Sequence, residues 1–290
     1  MRIAGGQAEG LRLWLWHGHL RLPPTLHRSC LMTIVFIGDI HRQWPYVAHG
    51  LAGTDTPPSA AVLLGDIECT HPLDELAVPL LDRGIPVLWI FGNHDNDGGP
   101  EMWANLVDPA RNPRTAPGAL SGRVIEIGGV RIAGLGGTFR PRIWEPPEPP
   151  RVRRREDLPA DLAKLGAHWR EDHRAGLAHS LGATAIWPED FQLLATHRAD
   201  ILVTHEAPSS HPAGNAALDE LARAMGARLI VHGHHHVNYR AVAPDGLRAL
   251  GVAAGWGLTA DGAALWQGET PRQMGRLVNR WSLEEMPGTG

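Results

Sequence analysis

The chain reads as an α/β domain, and three observations carry that expectation. Short apolar runs rich in β-branched residues recur along it, each ends in Gly-Asp or Gly-Asn, and helix-compatible stretches follow them. Thr33-Ile34-Val35-Phe36-Ile37 ends at Gly38-Asp39, Ala61-Val62-Leu63-Leu64 at Gly65-Asp66, and Pro86-Val87-Leu88-Trp89-Ile90-Phe91 at Gly92-Asn93. Asp39 and Asp66 are 27 positions apart, as are Asp66 and Asn93. That interval suits a strand, a crossover helix and a return to a neighbouring parallel strand buried on both faces.

The second half resumes the theme. Val124 to Ile127, Gly128-Gly129 and Val130 to Ala133 predict a hairpin, and Ile201 to Thr204 ends at His205. A helix is predicted over Ala216 to Met225, before Leu229-Ile230-Val231 leads into His232-Gly233-His234-His235-His236. Val237 to Val242, the Pro244-Asp245-Gly246 turn and Leu247 to Val252 predict a closing hairpin. The principal domain is expected over 32–270, with a tail over 271–290 that frays after about Trp281. Residues 139–190 break the rhythm with Trp144-Glu145-Pro146-Pro147-Glu148-Pro149-Pro150, then Arg151, Arg153, Arg154 and Arg155. They predict an inserted proline-rich loop and a helix from about Leu158 to Leu177, placed as a lid or rim over the strand ends. The arginines suit either a solvated helix start or recognition of an anionic substrate. Residues 1–31 show no period, and Met32 directly precedes the first strand, so this segment is expected to be a non-native or disordered extension.

Composition narrows the function classes. With 290 residues, 43% of them hydrophobic, the chain is long enough for a sizeable core, which excludes disorder of the whole. A net charge of −4 and a pI near 6.5 make duplex DNA an unexpected partner, because its binding leans on neutralisation by Lys and Arg. The cationic side chains are 26 Arg and the single Lys164, a compositional bias. Two cysteines, Cys30 and Cys69, build neither a disulfide framework nor a four-thiolate zinc site, and they suit a reducing compartment. No stretch approaches the ~18 apolar residues of a membrane span, so a cytoplasmic location is expected. Seventeen histidines are the richer clue, since imidazole is the commonest metal ligand.

The polar residues at the strand ends form a short set: Asp39, His41, Asp66, Asn93, His94, His205, His234 and His236. Ligands of open α/β sheets bind outside the carboxyl ends of the strands, so these groups are expected to converge. They are too many for one tetrahedral zinc and suit two metals. Their order resembles the calcineurin-like metallophosphoesterase superfamily, through Gly38-Asp39-Ile40-His41, Gly65-Asp66, Gly92-Asn93-His94-Asp95, Thr204-His205 and Gly233-His234-His235-His236. The resemblance spans about 32–255. It implies a four-layer αββα sandwich of mixed β-sheets flanked by helices. By this resemblance Asp39, His41 and His236 hold one metal, Asn93, His205 and His234 hold a second, and Asp66 bridges them. The implied cofactor is two divalent ions, Mn²⁺ first, with Fe, Zn or Ni as alternatives. The implied reaction is hydrolysis of a phosphomonoester or phosphodiester by a metal-bridging hydroxide, with His94 assisting the leaving group.

Neighbouring residues carry blander expectations. Asp95 either orients an imidazole or caps the next segment, and His235 points away if its segment is extended. His211 and His232 either touch the substrate or support the ligands, or are ordinary histidines with no part in the chemistry, and the ordinary role is the one expected. The signature of protein serine/threonine phosphatases is incomplete, because Arg42 replaces a Gly and Gly65-Asp66-Ile67-Glu68-Cys69-Thr70 lacks the second Asp, whose position is Cys69. Protein phosphatase, single-strand nuclease and a non-catalytic scaffold remain the alternatives.

Overall fold

The computed structural model describes residues 32–166, 169–275 and 281–287. The expected extension over 1–31 lies outside the described residues. Twelve strands are described: β1 (Ile34–Ile37), β2 (Ala60–Leu63), β3 (Val87–Trp89), β4 (Arg123–Ile127), β5 (Val130–Leu135), β6 (Ile201–Thr204), β7 (Leu229–His232), β8 (Tyr239–Val242), β9 (Arg248–Gly251), β10 (Gly257–Thr259), β11 (Ala264–Trp266) and β12 (Ser282–Glu284). They form a five-stranded sheet in the order β11-β10-β1-β2-β3 and a seven-stranded sheet in the order β12-β8-β9-β7-β6-β5-β4. Both are mixed. The predicted crossovers make β1, β2 and β3 parallel neighbours, while β10 joins β1 antiparallel.

Alternation along β1 explains the layers. Phe36 points into a core shared with Val62, Leu88, Val203, Val231 and Leu250, which come from both sheets. Val35 and Ile37 point the other way, onto Val47 and Leu51 of helix α1 (Trp44–Ala52) and onto Leu73 and Leu80 of two short helices, α2 (Leu73–Leu76) and α3 (Val78–Leu81). A helix after β3, α4 (Pro100–Val107), adds Leu106 to the same layer. The outer face of the second sheet is covered elsewhere in the chain. There Leu202, Ile230 and Ala249 pack against helices of the second half. The result is the four-layer αββα sandwich.

Within the insertion the predicted single helix is two, α5 (Leu158–Leu162) and α6 (Glu171–Thr184). Gly166, a weak helix former, lies in the break. Ile143, Val152, Leu158, Leu162, Leu181 and Trp187 give the insertion its own small core. Its arginines take the bland role where they are paired. Arg155 bridges Glu189 and Asp190 at the start of helix α7 (Pro188–Ala195), and Arg154 meets Glu156. Helix α8 (Ala216–Met225) matches its predicted span: Asn215 accepts the Ala217 N–H at its start, and Gly226 ends it with φ of 75°. The segment expected to fray after Trp281 instead forms β12, paired with β8. No described helix is long and apolar enough to cross a membrane.

Candidate metal centre

The loops after β1, β2, β3, β6 and β7 meet at one edge of the two sheets. Their backbone is unusual there. His41, Arg42, Asp66, Glu68, His234 and His236 all have φ between 43° and 68°, a region that non-glycine residues rarely adopt. These are all the non-glycine positive-φ positions among the described residues, and every one lies in a motif loop. The loops are also close together. A Cβ on Gly92 would stand 2.2 Å from Asp66 Oδ1, and one on Gly233 would stand 2.5 Å from Asp39 Oδ1.

The eight residues singled out at the strand ends converge. His41 Nε2 lies 3.1 Å from His236 Nε2, which lies 3.4 Å from Asp39 Oδ2. On the other side, His205 Nε2 lies 3.1 Å from Asn93 Oδ1 and 3.2 Å from Asp66 Oδ2. His234 places a ligand atom within 4.8 Å of those of Asp66 and His205. Asp66 Oδ2 also faces His41 Nε2 at 4.0 Å, so one carboxylate oxygen looks toward both groups. The His94 ring sits edge-on to His41, with centroids 5.6 Å apart, and is 47% exposed.

Hydrogen bonding shows what this arrangement lacks. His205 Nδ1 donates to the Leu64 carbonyl at 2.8 Å, and His41 Nδ1 donates to Glu68 at 2.7 Å. In each neutral ring Nε2 then carries the lone pair. The His205 lone pair therefore faces two oxygens that are themselves acceptors, and Asp39 Oδ1 is fully buried with no hydrogen-bond partner. Such a cluster calls for a cation, either a proton or a metal, and its mixed N and O donors fit divalent metals.

Protons take that role in the metal-free chain. Burial disfavours the His205 cation, but the Asp66 and Asp39 carboxylates outweigh it and hold the imidazole up at about 10. Burial pushes Asp39 up to about 7 against the pull of His205. Asp66 is buried as well, yet His205 keeps it well below the usual carboxylate range. Two backbone amides add to this: His234 N–H donates to Asp39 and His94 N–H to Asp66, each at 2.7 Å.

Two residues at the site escape sequence reasoning. Glu68 orients His41 and ties Arg42 at 2.6 Å. Asp97 accepts from His94 Nδ1 at 2.6 Å. Burial opposes the His94 cation, but this bond and the Asp66 charge raise its pKa above the ordinary value. Cys69 is buried among apolar side chains and serves no such purpose. Asp95 neither orients an imidazole nor caps a helix. It accepts the Gly92 and Glu68 N–H groups, both at 2.7 Å, and so fastens the β3 loop to the β2 loop. A sequence signal existed only for Asp97, as a carboxylate three residues after a candidate catalytic histidine.

The His234–His236 loop is not extended, so alternation does not govern His235. Its ring stacks on His211 with centroids 3.8 Å apart, and its Nε2 lies 3.7 Å from Glu206. His232 is buried beneath the loop. Its Nδ1 donates to the Gly233 carbonyl at 2.9 Å, its Nε2 accepts from Tyr239 at 2.7 Å, and Ser210 completes the chain at 2.8 Å from the Tyr239 hydroxyl.

Comparison with known proteins agrees with the geometry. Residues 32–238 match the family described as calcineurin-like phosphoesterase. An uncharacterised protein of Haemophilus influenzae is 34% identical over 214 residues, covering 71% of this chain and 84% of its own. A dimetal phosphatase from Danio rerio shares the fold at 13% identity and a TM-score of 0.50, over 78% of this chain and 88% of its own. The protein TT1561 of Thermus thermophilus is also similar, with 13% identity, a TM-score of 0.47, and coverage of 78% and 93%. Motif order, sandwich and family match lead to one conclusion: the chain belongs to the calcineurin-like phosphoesterases, a family of metal-dependent phosphoester hydrolases.

Proposed function

We propose that this chain hydrolyses a phosphomonoester or phosphodiester with two divalent cations, Mn²⁺ being the first candidate. Asp39, His41 and His236 hold one cation, Asn93, His205 and His234 hold the other, and Asp66 is shared. The observation that carries this reading is the placement of Asp66 Oδ2 between His205 Nε2 and His41 Nε2, beside the unpartnered, buried Asp39 Oδ1. Bound there, the two cations supply Lewis acidity to the phosphoryl oxygens and lower the pKa of a coordinated water.

The remaining work falls to the chain. Glu68 and the Leu64 carbonyl fix the tautomers of His41 and His205, so that their Nε2 lone pairs face inward. His94, half exposed and held by Asp97, presents its Nε2 to the leaving-group oxygen and gives it a proton. Chelated protein should be inactive toward p-nitrophenyl phosphate and its bis ester, and added Mn²⁺ should restore cleavage of at least one. No rescue by Mn²⁺, Fe²⁺, Zn²⁺ or Ni²⁺ would overturn the proposal.

A further inference from the structure

The segment from Glu269 to Gly275 lies beside the centre, although no motif places it there. It is fastened along its length. Glu269 N–H donates to the Ala254 carbonyl at 2.9 Å, and the Trp256 indole donates to the Glu269 carbonyl at 2.7 Å. Arg272 N–H then donates to the carbonyl of His236 at 2.8 Å. Met274 packs on the core beneath α8, and Gly275 passes Pro212. This strap therefore sets the Arg272 backbone directly against a candidate metal ligand.

The Arg272 side chain is exposed, and among the described residues no carboxylate or carbonyl holds its guanidinium. Other arginines near charged groups are engaged: Arg42 with Glu68, Arg131 with Asp200, Arg155 with Glu189 and Asp190. The backbone bond to the His236 carbonyl keeps Arg272 beside a candidate ligand, so the centre is within reach of its long, exposed side chain.

We propose that Arg272 binds an unesterified oxygen of the substrate phosphate and biases the site toward phosphomonoesters over phosphodiesters. The inference rests on the two-cation reading above and sharpens its substrate class. Near neutral pH a monoester carries a charge of about −1.5 to −2. A diester carries one negative charge and has one fewer free oxygen. A guanidinium offers a planar fork of donors that matches phosphate oxygens and stays charged at any working pH. A cation placed at the rim of the centre therefore favours the more anionic ester.

The test compares manganese-loaded wild-type, Arg272→Gln and Arg272→Lys chains. Calorimetry measures binding of inorganic phosphate and of dimethyl phosphate, elemental analysis measures metal per chain, and hydrolysis is followed with p-nitrophenyl phosphate and its bis ester. Arg272→Gln should bind phosphate about tenfold to a hundredfold more weakly, with dimethyl phosphate binding changed by less than about threefold. Metal content should stay the same, Arg272→Lys should recover part of the loss, and the monoester-to-diester ratio of kcat/KM should fall in Arg272→Gln. Unchanged phosphate affinity in Arg272→Gln, equal weakening for both anions, or no phosphate binding by the wild type overturns the inference. A wild-type chain that binds two Mn²⁺ and phosphate yet cleaves neither ester sinks the proposed function instead, and the phosphate comparison still decides the role of Arg272.

Discussion

At the scale of single residues, the site separates side chains that face a cation from those that hold them in place. His94 and Asp97 form a local pair in which the exposed carboxylate keeps the imidazole charged to higher pH. Replacing His94 with Ala should lower kcat by about 10²- to 10⁴-fold, the usual worth of a general acid, while metal content stays at the wild-type value. A variant that keeps full activity would return His94 to a passive role. The pH dependence gives a second test. An acid must be protonated to act, so kcat falls as pH rises through the His94 pKa. Asp97→Asn removes the stabilising charge, lowers that pKa and should move the descending limb of the kcat profile to lower pH. An unmoved limb would show that the pair does not control the proton. The candidate ligands were legible in the sequence because each stands in an ordered block after an apolar run. The role of Glu68 and the clasp made by Asp95 were not, because their partners, His41 for the first and the Glu68 amide for the second, become neighbours only after the loops fold.

At the scale of elements, the strands place the loops and the loops carry the strain. Gly38, Gly65, Gly92 and Gly233 let successive loops touch, and Gly92 is the tightest against the candidate ligands. Its added Cβ would meet Asp66 Oδ1 at 2.2 Å and His205 Cε1 at 2.5 Å. Gly92→Ala should therefore lose at least one metal per chain while its far-ultraviolet circular dichroism matches the wild type. Retention of both metals would mean that the loops can separate more freely than this packing implies. The long apolar runs were read to within a residue or two, as was the span of helix α8. The strands β10, β11 and β12 span three residues each and show no alternation long enough to detect. Helices α5 and α6 were merged because periodicity alone does not register a break near a glycine.

At the scale of the whole molecule, the sandwich brings together residues nearly two hundred positions apart. His41 and His236 meet through their Nε2 atoms because β1 of one sheet and β7 of the other both end at the same edge. The parallel first sheet was readable from equal spacing, and the layering followed from family resemblance. The strap beside the centre was not, since its bond to His236 is purely tertiary. Metals that bind only the folded chain must stabilise it, by about 2.7 kcal/mol at a free concentration of 100 times Kd. Chelation should lower Tm by several degrees, and Mn²⁺ should restore it; an unchanged Tm would argue against tight binding at a preformed site. The most direct test of the central claim is a titration of chelated protein with Mn²⁺, plotting phosphoesterase activity against metal bound per chain. Two bound ions should be needed for full activity, and Asp66→Asn should abolish the second. Full activity with one ion per chain, or with none, would contradict the account.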